Sequence, residues 1–305
     1  MSGQPGVIAF VGLGRMGLPM ATNLADAGFR VIAYNRTRDV AEKLAHHPMV
    51  TIADTPKSAA ANADVVITML ADEQALRAVY EGSDGLIAGW TPGEIAIDMG
   101  TTGLSGTSWL SQLVGEAGGS LLDAPVSGST AAAQARTLTL MVGGPVEVLE
   151  KVRAVLDAMG SNTYHLGATG SGAVMKLAVN AIIYALGQAV SESLVLAERA
   201  GIPRSLAYEV FCNSAAAAPM VKYRTQNFIE PETSPVSFAL RLAEKDLRLI
   251  TSLADRLGAP MPQAKLNLQV IEEAAKAGLA EQDMAAIAVH LRAKAAAGEH
   301  REGAL

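Results

Sequence analysis

Apolar positions in the first half of the chain fall in short runs separated by helical stretches. Val7-Ile-Ala-Phe-Val11 reads as a strand buried on both faces. Further strands are predicted over Arg30–Tyr34, Val65–Leu70, Glu94–Asp98, Leu121–Val126 (closed by Pro125), Thr137–Val142 and Thr163–Leu166. Helical patterns lie between them, over Leu18–Ala27, Ala59–Ala63, Asp72–Tyr80 and Val146–Met159. Near residue 165 the alternation stops and helix alone follows. Candidate helices run over Ser205–Asn213, Val236–Leu257, Pro262–Ala277 and Gln282–Ala297, punctuated by Gly201-Ile-Pro203, Gly258-Ala-Pro260 and Gly278. The pattern predicts an α/β domain over 1–165 and an all-α domain over 166–305, joined by one long helix at about 171–200.

That helix is expected from Ser171, a plausible N-cap, to the Gly201 stop. At ~1.5 Å per residue it is roughly 45 Å long. Its first turns read as apolar on every side, through Val174, Met175, Leu177, Val179, Ile182, Ile183 and Leu186, and such a helix is expected to be buried. Lys176 and Asn180 interrupt it, four apart and so on one face. Two readings stand: a lysine snorkelling to the surface beside a bonded asparagine, or a proton-donating lysine set in a cleft.

Composition narrows the classes. The 305 residues, half of them hydrophobic, can bury a large core in two domains. The net charge of −6 argues against a nucleic-acid partner. Cys212, the one cysteine, excludes an internal disulfide and a cysteine-based metal site. The five histidines have no metal-ligand spacing, so no metal is expected. An apolar run of the ~18 residues needed to span a bilayer is not evident, and Met1–Gly6 lacks the charged start of a signal peptide. The expectation is a cytoplasmic protein without a membrane partner.

Gly12-Leu13-Gly14-Arg15-Met16-Gly17 stands between the first strand and the first helix, with a second strand following. G-x-G-x-x-G in that context is the dinucleotide fingerprint of a Rossmann-like domain. Gly12 permits the tight turn, Gly14 the approach of a pyrophosphate, Gly17 the close packing of helix on strand, and the helix N-terminus faces the phosphates. At the end of the second strand stands Asn35-Arg36-Thr37, where NAD binders place a carboxylate. Arg36 can pair with a 2′-phosphate and Thr37 adds a hydroxyl, so NADP is expected and NAD is the less favoured cofactor. Loops at Leu70-Ala71 and Thr101-Thr102 should line the same crevice. Ser127-Gly128-Ser129 suits a carboxylate, or is an ordinary turn. Lys245-Asp246 reads locally as a solvated pair on an amphipathic helix.

Four segments together resemble the β-hydroxyacid dehydrogenase family over nearly the whole chain. They are the glycine fingerprint, Asp123-Ala-Pro-Val-Ser-Gly128, Gly170-Ser-Gly-Ala-Val-Met-Lys-Leu-Ala-Val-Asn180 and Lys245-Asp246. The resemblance implies that Lys176 is catalytic and that Asn180 orients it or the substrate. It implies that Ser127 and Gly128, with Ser129 beside them, hold a substrate carboxylate. It places Leu70, Ala71 and Thr101 near the nicotinamide and Lys245, supported by Asp246, against the cofactor. It also implies a homodimer or homotetramer acting on a small carboxylate-bearing substrate. Gly100, Ser129 and Ala173 depart from the family's usual residues, which touches pocket lining and leaves the substrate open. Two alternatives are an imine reductase or reductive aminase on a related architecture, and a non-catalytic NADP-binding module.

Overall fold

The computed structural model describes residues 6–302, of which 298–302 by backbone alone. The expectation about a leader therefore falls largely on residues outside those described. The chain divides into two compact units, Met1–Lys176 and Leu177–Leu305.

In the first unit, six parallel strands form one sheet: β1 (Val7–Val11), β2 (Arg30–Tyr34), β3 (Val50–Ile52), β4 (Val65–Thr68), β5 (Ile95–Asp98) and β6 (Ser120–Asp123), in the order β3-β2-β1-β4-β5-β6. The order reverses beside β1, which opens a crevice at the carboxyl ends of β1 and β4. Alternation along the strands feeds two cores. Ile8, Phe10, Val31, Val65, Ile67 and Ile97 pack on one face, and Ala9, Val11, Val66 and Ala96 on the other. Helices α1 (Gly17–Asp26), α2 (Arg38–Glu42), α3 (Pro56–Ala60), α4 (Glu73–Tyr80) and α5 (Gly103–Glu116) connect the strands.

The strand expected over Leu121–Val126 splits in two. β6 ends at Asp123; past Pro125, which has no N–H for a ladder, β7 (Val126–Ser127) joins a second sheet with β8 (Leu138–Val142) and β9 (Gly160–His165). α6 (Thr130–Gln134) links β7 to β8. The single helix expected over 146–159 is α7 (Val146–Lys151) and α8 (Arg153–Asp157), interrupted at Val152, whose ψ of 10° leaves the helical range.

α9 (Ser171–Arg199) is the expected long helix. Its first residues, through Lys176, group with the strand unit and the rest with the second, so this division falls inside α9. Ser171 lies inside the helix, not before it, and its own N–H bonds Ala168 O. One stripe of α9 is exposed, with Met175 at 41%, Ile182 at 64% and Leu196 at 73%, so it is not buried on all sides as expected. α9 is also long and apolar enough to cross a membrane by length and composition, which corrects the expectation that no such stretch exists. A core helix meets the same two criteria, and nothing further follows from them.

The second unit continues with α10 (Arg204–Asn213), α11 (Pro219–Tyr223), α12 (Thr225–Ile229), α13 (Leu240–Leu257), α14 (Pro262–Ala274) and α15 (Ala286–Glu302). α13 starts at Leu240 rather than Val236. The segment before it is held extended: Ser237 N and Phe238 N donate to Asp283 Oδ2, and Ala239 pairs with Asp283. The same pairing delays α15 to Ala286. Asp283 is buried and bonded to buried Arg224 at 2.8 Å, so its charge is compensated.

Candidate active site

The glycine turn follows β1 because only glycine fits it. Gly12 has φ +96°, and a Cβ there would lie 2.5 Å from Met69 O. A Cβ on Gly17 would lie 1.9 Å from Gly12 O, so turn and α1 touch through backbone. Gly14 is different: a Cβ there would meet nothing within 4 Å. That open face, at the uncapped N-terminus of α1, is where a pyrophosphate can approach N–H groups and a favourable helix dipole. The residues fit a dinucleotide. Arg15 and Arg36 are exposed, Leu13 is buried and Met16 half-buried. Asn35 is committed to the turn itself. Its Oδ1 accepts from Leu13 N at 2.9 Å and its Nδ2 donates to Thr37 O at 2.9 Å. Both ends of the Asn35 amide are thus engaged, while Arg36 and Thr37 beside it are exposed.

Leu70 and Ala71 lie two and three residues past the end of β4, and Thr101 three past the end of β5. A Cβ on Gly100 would stand 2.6 Å from Leu70 O, so the two loops are in backbone contact. Gly100, where the family often has serine, is thus a steric requirement of this chain. Buried Asp98 ties the crevice wall together, accepting from Thr68 Oγ1 at 2.8 Å and Thr102 Oγ1 at 3.0 Å.

The expected substrate turn and the expected catalytic lysine meet. Lys176 Nζ, on the first turns of α9, donates to Val126 O at 2.7 Å. The next residue is Ser127, half-buried in β7. Gly128 has φ +148° and is packed so that a Cβ would lie 2.7 Å from Leu138 Cδ2. Ser129 is spent as the N-cap of α6, its Oγ accepting from Ala132 N at 3.2 Å. Asp123, the first residue of the same segment, is 1% exposed. It accepts from Gly170 N at 2.7 Å and Ala173 N at 2.8 Å. Burial raises its carboxyl above the ordinary aspartate range, against the pull of those amides.

The second unit holds the other expected residues around one buried carboxylate. Asp246 Oδ2 accepts from Asn180 Nδ2 at 2.8 Å and from Tyr184 Oη at 2.5 Å. Asp246 Oδ1 faces Lys245 Nζ at 3.0 Å. Asp246 is 2% exposed, so Lys245-Asp246 is not the solvated pair its local pattern suggests. A carboxylate only accepts, so the Asn180 amide is fixed with nitrogen toward Asp246. Burial, then the neighbouring Asp246, pushes the Tyr184 hydroxyl well above the usual tyrosine range and keeps it a donor.

Sequence reasoning passed over Tyr184, Asp98 and the role of Asp123. Tyr184 sits one helical turn beyond Asn180, the one local hint available. Asp123 was visible only as part of a motif. No group of three His, Cys, Asp or Glu side chains among the described residues could hold a metal ion.

Two family models cover most of the chain. Residues 7–167 match the NAD-binding domain of 6-phosphogluconate dehydrogenase, and residues 170–291 match the NAD-binding domain of NADP-dependent 3-hydroxyisobutyrate dehydrogenase. The chain is 31% identical over 290 residues to the chloroplastic glyoxylate/succinic semialdehyde reductase 2 of Arabidopsis thaliana, covering 94% of this chain and 79% of that one. It is 33% identical to the NAD-dependent L-serine dehydrogenase of Pseudomonas aeruginosa, over 92% of this chain and 96% of that one. The structure of Mycobacterium tuberculosis 3-hydroxyisobutyrate dehydrogenase with L-serine superposes with a TM-score of 0.80 at 31% identity, over 94% of this chain and 99% of that one. With a glycine turn that fits a dinucleotide and relatives that oxidise or reduce hydroxy acids and semialdehydes, the chain belongs to the β-hydroxyacid dehydrogenase family of NAD(P)-dependent oxidoreductases acting on CH–OH groups.

Proposed function

We propose that the protein interconverts a small carboxylate-bearing β-hydroxy acid and its semialdehyde or oxo acid, with NADP preferred and Lys176 exchanging the hydroxyl proton. The observation that carries this reading is the 2.7 Å bond from Lys176 Nζ to Val126 O. It sets an ammonium group beside the turn that begins at Ser127.

When bound, the nicotinamide supplies or accepts the hydride. The protein's own groups do the rest. The Ser127 hydroxyl and the backbone at Gly128 bind a carboxylate, with Ser129 shaping the turn from its capping position. Bound there, the substrate has its hydroxyl within reach of Lys176. The lysine gives the proton to a forming alkoxide or takes it from an alcohol, and its positive charge favours the alkoxide. Asn180, held by Asp246 and Tyr184, offers a fixed amide one turn further along α9. Lys245 and the loops at Leu70, Ala71 and Thr101 are assigned to the cofactor. Arg36 and Thr37, with no carboxylate beside them at the end of β2, support the preference for a 2′-phosphate.

Lys176→Ala tests the reading. Turnover should fall by about 10²–10⁴, while NADPH binding, followed by its fluorescence, persists. Near-normal turnover would remove Lys176 from the chemistry. A panel of short hydroxy acids and semialdehydes, run with NADP and NAD in parallel, identifies substrate and cofactor together. A cyclic imine in the same panel separates this activity from imine reduction, which the lysine and the Asp123–Gly128 segment disfavour. The family resemblance also supports a homodimer or homotetramer, which light scattering would size.

A further inference from the structure

We propose that Asp123 is a positioning residue that fixes the Lys176 ammonium and the Ser127 turn in one register. The inference rests on Lys176 being the proton-exchanging group.

A helix leaves its first N–H groups without partners inside the helix, and a side chain near the N-terminus commonly takes them. α9 draws that partner from another element. Asp123, at the end of β6, gives one carboxylate oxygen to Gly170 N and the other to Ala173 N, at 2.7 and 2.8 Å. Both bonds are charge-assisted and lie at the positive end of the helix dipole.

The connection closes on itself. From Asp123 the chain runs through Ala124 and the stiff Pro125 to Val126, whose carbonyl receives the Lys176 ammonium. From Ala173 it runs less than one helical turn to Lys176. Each end of the Lys176–Val126 bond therefore leads back, within three positions, to the same carboxylate. A third tie comes from the backbone, where Asp123 and Gly143 exchange N–H···O bonds of 3.1 and 2.8 Å. Gly172 makes the approach possible: a Cβ there would stand 2.5 Å from Asp123 O and 2.2 Å from Met141 O.

Asparagine cannot copy this arrangement. It has the same shape, but one end accepts and the other donates, so one of the two amides would face a donor. A carboxylate is a costly group to bury. Its burial is intelligible if the two-pronged grip holds the reacting ammonium.

The test compares wild type with Asp123→Asn, using 3-hydroxyisobutyrate or L-serine with NADP as probe, whichever wild type turns over. The variant should bind NADPH within about threefold of wild type, because the glycine turn is untouched. Its kcat should fall about 10- to 100-fold, with a shifted midpoint in the kcat–pH profile. A helix cap of purely structural use would lower Tm and leave kcat and the pH profile in place, and that result overturns the proposal. Asp123→Ser, smaller and able to accept one amide, stands in if Asp123→Asn does not fold; failure of both to fold assigns Asp123 to stability alone and also overturns it. Lys176→Ala run alongside separates the two ideas. If it keeps turnover, the lysine reading fails. If it loses turnover while Asp123→Asn keeps wild-type kcat and pH profile, only the positioning role fails.

Discussion

Tyr184 and Asp246 meet through a 2.5 Å hydrogen bond, donated by the phenol to the same carboxylate oxygen that holds the Asn180 amide. Two residues on α9, one turn apart, thus converge on one acceptor carried by α13. Because Asp246 also faces Lys245, the buried carboxylate fixes two of the residues assigned to the reaction.

Tyr184→Phe removes one of the three partners while keeping the ring near Phe238. Loss of a hydrogen bond to a charged buried group costs about 1.5–3 kcal/mol. Chemical denaturation should show a loss of that order. With Asp246 held by one bond fewer, Asn180 is less firmly placed, and kcat should fall several-fold with little change in NADPH affinity. Unchanged stability and unchanged kcat would show that the phenol contributes nothing to the carboxylate's hold.

Arg36 is exposed at the end of β2, next to an asparagine whose side chain is already engaged. A charge-assisted contact to a phosphate is worth roughly one to two factors of ten in affinity. Arg36→Ala should therefore raise KM for NADP by about 10- to 100-fold and leave KM for NAD nearly unchanged. Equal losses for both cofactors would show that Arg36 does not read the 2′-phosphate.

The parts legible in the sequence are those in which local sterics decide. The turn at Gly12 and Gly17 admits no side chain, so its residues announce it. The continuous apolar runs of β1, β4 and β5 mark strands covered on both faces. α5 escaped prediction because Gly103–Glu116 is rich in glycine, serine and threonine, poor helix formers that tertiary packing overrides. β3 is three residues long and carries too little pattern to read. The Asp246 cluster joins residues more than sixty positions apart. No local rule distinguishes its aspartate from a surface charge. Its burial follows from packing the second unit, which periodicity outlines but does not assemble.

Gly172→Ala separates helix propensity from packing. In an ordinary helix interior the change stabilises by about 0.5–1 kcal/mol. Here the new methyl carbon would meet two carbonyl oxygens, Met141 O at 2.2 Å and Asp123 O at 2.5 Å. Overpacking of this kind costs about 1–3 kcal/mol, so the variant should be less stable, with a depressed melting temperature. A rise in melting temperature would mean that α9 and β6 do not approach as closely as described.

Glu198 gives the second unit a pH-dependent support. Its carboxylate is bonded to Arg292 and Arg204, with contacts of 2.5 to 3.0 Å. Burial alone would raise its pKa; the two arginines outweigh burial and hold it below the ordinary glutamate range. The folded state thus binds this proton less readily than the unfolded chain. The resulting stability is fully present above the unfolded value of about 4.3 and is lost as pH falls through the lower folded value. Glu198→Gln removes the charge and leaves two guanidinium groups short of a partner. At pH 7 it should be less stable than wild type by about 1–3 kcal/mol. As pH falls and wild-type Glu198 itself takes up its proton, the two stability curves should converge. Denaturation midpoints measured from pH 7 down to pH 3 test the sign: a gap that widens toward acid would mean that burial, not the arginines, governs this carboxylate.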